Sequence, residues 1–447
     1  VLLLLIPLPF FYWRFFLFES ERGATDISQQ FSVFLVSPLG QTRIWLTKLL
    51  QDMENVFLGA WHKPLRYYYH LDKSVDWLIQ ALLILAFLYF LHVLIKERHQ
   101  IQKNRWWYEA LFIGILGIAF CQLPIVLVNR QTSYPLFSRY ALAGSMSGVM
   151  LMVASLSSLK IRFIKDIALF GLLIIAALTQ LGSAQKFAAE TASMNEFWWQ
   201  VSWRVPQFGE RTTLIANYPV VSTEEEYFIW GPANQIYYPE GTDDEKVIPG
   251  IYAFILNGEN IEKVIARERQ EYIPRRGTET YPNARNILIL SQPTPRSCVQ
   301  VIDGLALEYS PFENENVMKI GEFSEVEHII TDAAFHTPPE SVFGPEPAHA
   351  WCYFYQKATL LRQRGDWAEV ADLLTEASEQ GSVPYDPVEW MPFIQASAML
   401  GNGEQVREIS SYIDNDFVRE QACDILLGME LTLEMRTLAE GRYCLAQ

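Results

Sequence analysis

The chain has 447 residues, of which 50% are hydrophobic and only 19% are charged, whereas soluble domains carry about a quarter charged residues. Residues 1–185 hold 16 Lys+Arg and 10 Asp+Glu, and residues 186–447 hold 19 and 41. The first part is therefore apolar and mildly basic, and the second is strongly acidic. This split excludes a single soluble domain. It also excludes a nucleic-acid partner, because the acidic part repels phosphate.

Five apolar runs have the length and composition of membrane spans, since a helix needs roughly 20 apolar residues to cross the hydrocarbon core. The chain opens inside such a run at Val1, so we expect it to be an N-terminally truncated fragment. The run at 141–159 is rich in Gly, Ala and Ser, which predicts close packing against another helix. Together these runs predict a transmembrane domain over residues 1–185, with spans at about 1–17, 75–95, 106–128, 141–159 and 167–185.

Two short basic loops orient these spans. KERHQIQKNR (96–105) and KIRFIKD (160–166) follow the second and fourth runs. Lys and Arg in short loops favour the cytoplasmic side. Residues 18–74 and everything after 186 are then predicted to lie outside, at the bacterial plasma membrane.

The outer segment 18–74 is too polar to span. RIWLTKLLQDMENVFLGAW (43–61) has helical apolar spacing, which predicts an amphipathic helix on the outer membrane surface. Lys63 and Arg66 follow among tyrosines. These residues fit simple anchoring at the interface, or a cradle for a lipid phosphate.

A short outer loop, NRQTSYPLFSRYALAG (129–144), leads into the fourth span. Arg139 and Tyr140 fall at the predicted start of that helix, where a guanidinium and the helix dipole suit an anionic lipid head group. The alternative is that Arg139 only extends to the membrane interface.

Short apolar strands alternate with helical patterns after the last span, as in RTTLIANYPVV (211–221), IYAFIL (251–256) and NILILSQ (286–292). Such alternation is typical of an α/β layer domain, which we place at 186–340. The segment holds no phosphate-binding glycine loop, nucleophile elbow or paired metal-ligand spacing. No cofactor is therefore predicted, and a bound divalent metal ion is kept as the alternative. Four cysteines fall in the outer part, where a disulfide such as Cys423 with Cys444 is allowed.

The C-terminal segment 341–447 repeats itself at a spacing of 36 residues, with GDWAEV (365–370) matching GNGEQV (401–406). The pattern resembles a tetratricopeptide repeat and predicts stacked helical hairpins. These hairpins form either a structural cap or a groove for a protein partner. The candidate partner-binding residues are the aromatic ones: Trp351, Tyr355, Trp367 and Trp390.

Two family resemblances follow from these residues. Arg139 and Tyr140 at the start of a late span resemble the Arg-Tyr-Leu-Leu-Pro-type motif of GT-C class membrane glycosyltransferases. That resemblance implies sugar transfer from a polyprenyl-phosphate donor at the outer face, with the catalytic carboxylate upstream of residue 1. Residues 287–303 and 343–367 resemble large membrane proteins of Chloroflexi-type bacteria, and this second resemblance implies no activity.

The sequence therefore predicts a multi-span α-helical membrane domain, then an extracytoplasmic α/β domain and a C-terminal α-helical, tetratricopeptide-like region. The expected function is that of a GT-C-like glycosyltransferase, whose partners are membrane lipid and a polyprenyl-phosphate sugar. The alternative is a non-catalytic, membrane-anchored module that binds a protein through its helical repeats.

Overall fold

The structure is a computed structural model. Its described residues are 34–63, 106–134, 137–159, 161–220, 225–240, 247–275 and 277–444, with isolated positions elsewhere. They divide into two compact units, Val1–Ala189 and Glu190–Gln447. The predicted spans at 1–17 and 75–95 lie largely outside the described residues.

The described residues of the first unit are mostly helical, apart from the loop between its second and third long helices and a short break after the third. A π-helical turn (Asn55–Gly59) and an α-helical turn (Ala60–His62) continue its first helix, as the amphipathic pattern at 43–61 predicts. The long helices are α1 (Pro38–Glu54), α2 (Trp106–Leu127), α3 (Leu142–Ser158) and α4 (Arg162–Arg204), the last of which ends in the second unit.

Among the described residues, three helical stretches are long and apolar enough to cross a membrane. They are Trp106–Leu127, Ser138–Ser158 and Ile167–Arg204. Each overlaps one of the apolar runs that the sequence identifies, at 106–128, 141–159 and 167–185.

Small residues let α2, α3 and the turn after α1 approach closely. A β-carbon added at Gly114 of α2 would lie 3.0 Å from the Leu151 Cβ of α3. A β-carbon added at Gly148 would lie 3.3 Å from Val56 Cγ1. The predicted close packing of the small-residue helix is confirmed, since larger side chains would push these backbones apart.

The second unit begins with a small mixed sheet and its covering helices. Its strands are β2 (Thr213–Asn217), β3 (Tyr252–Phe254), β6 (Ile287–Ser291) and β7 (Gln300–Val301), in the order β3-β2-β6-β7. Strands β2, β3 and β6 are parallel, with Thr213 paired to both Tyr252 and Ile287, and β7 is antiparallel to β6. Two short ribbons pair β1 (Gln207–Phe208) with β8 (Ile329–Ile330) and β4 (Ile273–Arg275) with β5 (Thr278–Thr280).

Helices cover both faces of this sheet. Alternate strand residues point to opposite faces, so each strand contributes to two separate cores. Leu214 and Leu288 share a core with α5 (Tyr227–Tyr237) and the end of α4. Ile215 and Ile289 share a second core with α6 (Gly258–Ile265) and α7 (Glu315–Ile320). The predicted α/β layer is therefore present. A one-turn helix, α8 (Glu340–Phe343), follows it.

Six further helices follow, in three consecutive pairs. Gly365 and Gly401 end the first helix of the first two pairs with φ of +82° and +73°, the left-handed conformation that favours glycine. They are 36 residues apart, so the sequence repeat corresponds to a repeated turn. The helices are α9 (Trp351–Arg364), α10 (Trp367–Glu379), α11 (Met391–Met399), α12 (Gly403–Ser410), α13 (Asp416–Gly428) and α14 (Leu433–Tyr443).

Residues 297–310, here called the joint segment, connect the sheet to these helices. Glu389 Oε1 accepts a hydrogen bond from Cys298 N at 2.7 Å, and Gln356 Nε2 donates to Val299 O at 2.6 Å. Disulfides join Cys298 to Cys352 and Cys423 to Cys444. The second of these is the pair that the sequence allows.

Burial raises the pKa of Glu389 from 4.5 to about 8, with nearby Asp386 adding to the shift. The folded protein therefore holds this proton more tightly than the unfolded chain does. Glu389 consequently contributes stability that is present below about pH 4.5 and falls as the pH rises towards about 8.

We expect Glu389→Gln to remove this loss, because an amide keeps the acceptor for Cys298 N and never ionises. Its Tm should exceed that of the parent by about 4 °C or more at pH 9, with the gap closing at pH 5. Glu369→Gln, at an exposed position of α10, is the matched control. Parallel pH profiles for the parent and Glu389→Gln would contradict the assignment.

Candidate functional site

The loop between α2 and α3 is fastened to α1 through Asn129. The Asn129 side-chain oxygen accepts hydrogen bonds from Gln41 Nε2 at 2.7 Å and Trp45 Nε1 at 3.2 Å. Lys48 Nζ donates to the Asn129 backbone oxygen at 2.8 Å. Positions 41, 45 and 48 share one face of a helix, so the amphipathic pattern of α1 presents all three to the loop.

A buried polar cluster lies beneath this loop and is centred on Thr132. Thr132 N donates to Asp52 Oδ1 at 2.9 Å, and Thr132 Oγ1 donates to Gln122 Oε1 at 3.1 Å. Asn55 Nδ2 donates to the Thr132 backbone oxygen at 2.9 Å. Asp52, Gln122 and Thr132 are at most 1% exposed. Every polar group of Thr132 therefore has a partner, which fixes the loop.

Burial raises the pKa of Asp52 from 3.8 to about 6, although hydrogen bonds from Thr132 and the charge of Lys48 oppose the shift. Its second oxygen, Oδ2, has no hydrogen-bond partner among the described residues. The Asp52 carboxyl therefore holds a proton more readily than an exposed aspartic acid does. It positions Thr132 and does not face solvent.

Arg139 and Tyr140 lie together at the N-terminal end of α3, in a 3-10 turn (Ser138–Ala141) that precedes the helix. The Arg139 guanidinium carbon is 5.7 Å from the Phe137 ring centre and 5.4 Å from that of Tyr140. These cation–π contacts hold an exposed cation in place. Gln122 Nε2 donates to the Tyr140 backbone oxygen at 3.2 Å, so the buried cluster supports this turn as well.

Arg130 belongs to the same site, although sequence reasoning did not select it. Its Nη1 donates to the Tyr140 hydroxyl at 2.8 Å, which places a second guanidinium beside Tyr140. The sequence does place Arg130 in the same short loop segment, 129–144, as Arg139. Within the described ranges, neither Arg130 nor Arg139 pairs with a carboxylate.

The other two predicted phosphate ligands are placed differently. Lys63 Nζ donates to Asn55 Oδ1 and lies 3.7 Å from a Glu54 carboxylate oxygen. Lys63 is therefore connected to the loop at Thr132 through Asn55. The Arg139 guanidinium instead stacks on rings of Phe137 and Tyr140. Arg66 lies outside the described residues.

The predicted partner-binding aromatic residues form part of the helical core. Trp351 and Tyr355 are each 5% exposed and Trp390 is 8% exposed, whereas Trp367 is partly exposed. The ring centres of Trp351 and Trp390 are 5.1 Å apart. Three of the four side chains thus stabilise helix packing, and Trp367 keeps some surface for a partner.

The described ranges contain no group of three His, Cys, Asp or Glu residues that could hold a metal ion. Comparison with protein-family models, with curated proteins and with solved structures finds no match for this chain. The functional proposal therefore rests on this chain's own residues, and the resemblance to GT-C enzymes stays a prediction.

We expect Asp52→Ala to destabilise the first unit, because it leaves Thr132 N–H buried without an acceptor. Such a loss costs about 1–3 kcal/mol and should lower the Tm of the protein in lipid nanodiscs. Asp52→Asn retains a carbonyl acceptor and should stay close to the parent. Equal Tm values for the two variants would show that the Asp52–Thr132 hydrogen bond does not hold the loop.

Proposed function

We propose that this chain is part of a bacterial membrane protein of GT-C-like architecture, which transfers sugar from a polyprenyl-phosphate donor at the outer face. In this proposal the five apolar runs cross the plasma membrane and α1 lies on its outer surface. The second unit is then extracytoplasmic. The three apolar helices support membrane insertion.

The observation that carries the proposal is the pair of exposed guanidiniums, Arg130 and Arg139, that both contact Tyr140. A guanidinium without a carboxylate partner is suited to bidentate contact with phosphate. The start of α3 adds the positive end of a helix dipole. A polyprenyl chain beside the apolar helices would bring its phosphate to this depth.

Preorganisation distinguishes this site from simple interfacial anchoring. Arg139 is stacked on two rings, and the loop that carries Arg130 is tied to α1 and to the buried cluster at Thr132. Fixing the cations in advance lowers the entropic cost of binding a head group. Side chains that only reach the interface need no such support.

Two observations support an outer location for the second unit. Its two disulfides suit an oxidising compartment. The basic loops at 96–105 and 160–166 favour the cytoplasm, and the chain crosses once more, through the run at 167–185, before the second unit begins. No residue here is assigned as the catalytic carboxylate.

A specific surface favours the non-catalytic alternative. An open groove of about 570 Å³ lies between α12 and α14, and its lining includes Arg407, Arg442, Glu434, Leu433 and Leu438. Leu433 is 82% exposed. Two cations beside apolar side chains suit a partner that offers a carboxylate next to an apolar group. In that function the partner would depend on Arg407 and Arg442, and not on Arg139.

We expect Arg139→Ala and Arg130→Ala each to weaken binding of polyprenyl phosphate by about 10- to 100-fold, because a hydrogen bond to a charged group is lost. The measurement is ligand-induced thermal stabilisation of the protein in nanodiscs. Arg43→Ala removes an exposed cation from α1 and is the matched control.

Neutral polyprenol, which lacks the phosphate, and inorganic phosphate, which lacks the lipid chain, test the two parts of the ligand one at a time. Stabilisation by polyprenyl phosphate, and none by polyprenol, would support recognition of the phosphate in its lipid form. If Arg139→Ala and Arg43→Ala bind polyprenyl phosphate equally, Arg139 does not hold the head group. If the parent protein shows no stabilisation at saturating lipid, the donor assignment is wrong.

A further inference from the structure

A small enclosed cavity lies within the second unit, where the end of α4, the joint segment and α9 meet. Its lining includes Arg204, Gln300, Glu308, Tyr355 and Arg362. The enclosed space has room for about one water-sized group. Any occupant is therefore a single small molecule or a monatomic ion.

Two of the lining side chains are buried with unused hydrogen-bonding groups. Arg204 is 4% exposed, and its Nε and Nη1 have no acceptor among the described residues. Its Nη2 donates to Gln363 Oε1 at 2.6 Å. Gln300 is 2% exposed, and both its side-chain oxygen and nitrogen are unpartnered. Unsatisfied buried groups are costly, so such a convergence indicates a bound water molecule or ion.

The charges around the cavity favour an anion. Arg362 Nη1 donates to both Glu308 oxygens, at 2.6 and 2.8 Å, and Gln395 Nε2 also donates to Glu308 at 2.7 Å. The Glu308 carboxylate is thereby neutralised by its own partners. Asp303 also lines the cavity, but it is partly exposed, and its Oδ1 accepts from Leu305 N at 2.9 Å. Among the described residues, no carboxylate oxygen forms an ion pair with the Arg204 guanidinium, so its positive charge is not neutralised by direct contact.

We propose that this cavity binds one small monatomic anion, such as chloride, on Arg204, with the Gln300 amide and the Tyr355 hydroxyl as further donors. The anion compensates a buried charge that would otherwise be strongly destabilising. Because its ligands come from α4, the joint segment and α9, it ties the sheet to the helices. The stability of the second unit then depends on the concentration of a small anion.

The test compares the thermal stability of the chain in nanodiscs in chloride and in gluconate at equal ionic strength. Gluconate is too large for the cavity. We expect chloride at about ten times its dissociation constant to raise the Tm by about 3 °C. Arg204→Gln should abolish the chloride response. Arg269→Gln, at an exposed position, should retain it.

Bromide gives a direct readout that does not depend on any variant. Crystals of the parent protein grown in bromide should show an anomalous-scattering peak beside the Arg204 guanidinium. A Tm that is the same in chloride and gluconate, or a bromide crystal without that peak, would overturn the proposal. Since both readouts use the parent protein, failure of Arg204→Gln to fold would leave the test intact.

Discussion

The second unit depends on satisfying the backbone of the joint segment, of which only β7 pairs with a neighbouring strand. β7 is only two residues long, so the polar groups around it find side-chain partners from helices. Glu389 accepts from Cys298 N, Gln200 accepts from Val299 N, and Gln421 both accepts from and donates to the backbone of Tyr309. Buried amides left unpaired would each cost a hydrogen bond. The helices are therefore required for the sheet to be stable, and the two regions form one compact unit.

In the first unit, side chains likewise satisfy the polar groups of an irregular segment, the loop between α2 and α3. Thr132 is held by groups from α1, the turn after it and α2, which replace the water that a loop normally contacts. This fixed loop presents Arg130, and the turn beside it presents Arg139, as a prepared cationic surface. In both units, buried polar side chains define the position of irregular backbone, and the proposed ligand sites lie next to that backbone.

Local pattern predicted the regular elements well, because hydrophobic period and length depend on neighbouring residues. Trp106–Leu127 falls within the predicted 106–128, and β2 and β6 fall within their predicted apolar runs. The partners of Glu389, Asp52 and Arg204 were not predictable in this way, because each contacts residues 80 to 159 positions away. The repeat pattern indicates Trp351 and Trp390 as candidates for binding a partner. Helical spacing alone cannot tell a core aromatic from a surface one, and the packing of α9 and α11 buries both.

The central claim is that the loop with Arg130 and Arg139 faces the outside, on the same side of the membrane as the acidic second unit. Labelling of single cysteines by a membrane-impermeant maleimide on intact cells tests it, in a chain whose free Cys121 is replaced by Ser. Cysteines at the exposed positions Ser133 and Glu379 should react, and one at Ile161 should react only after permeabilisation. Labelling at Ile161 in intact cells, or protection at Ser133, would contradict the account.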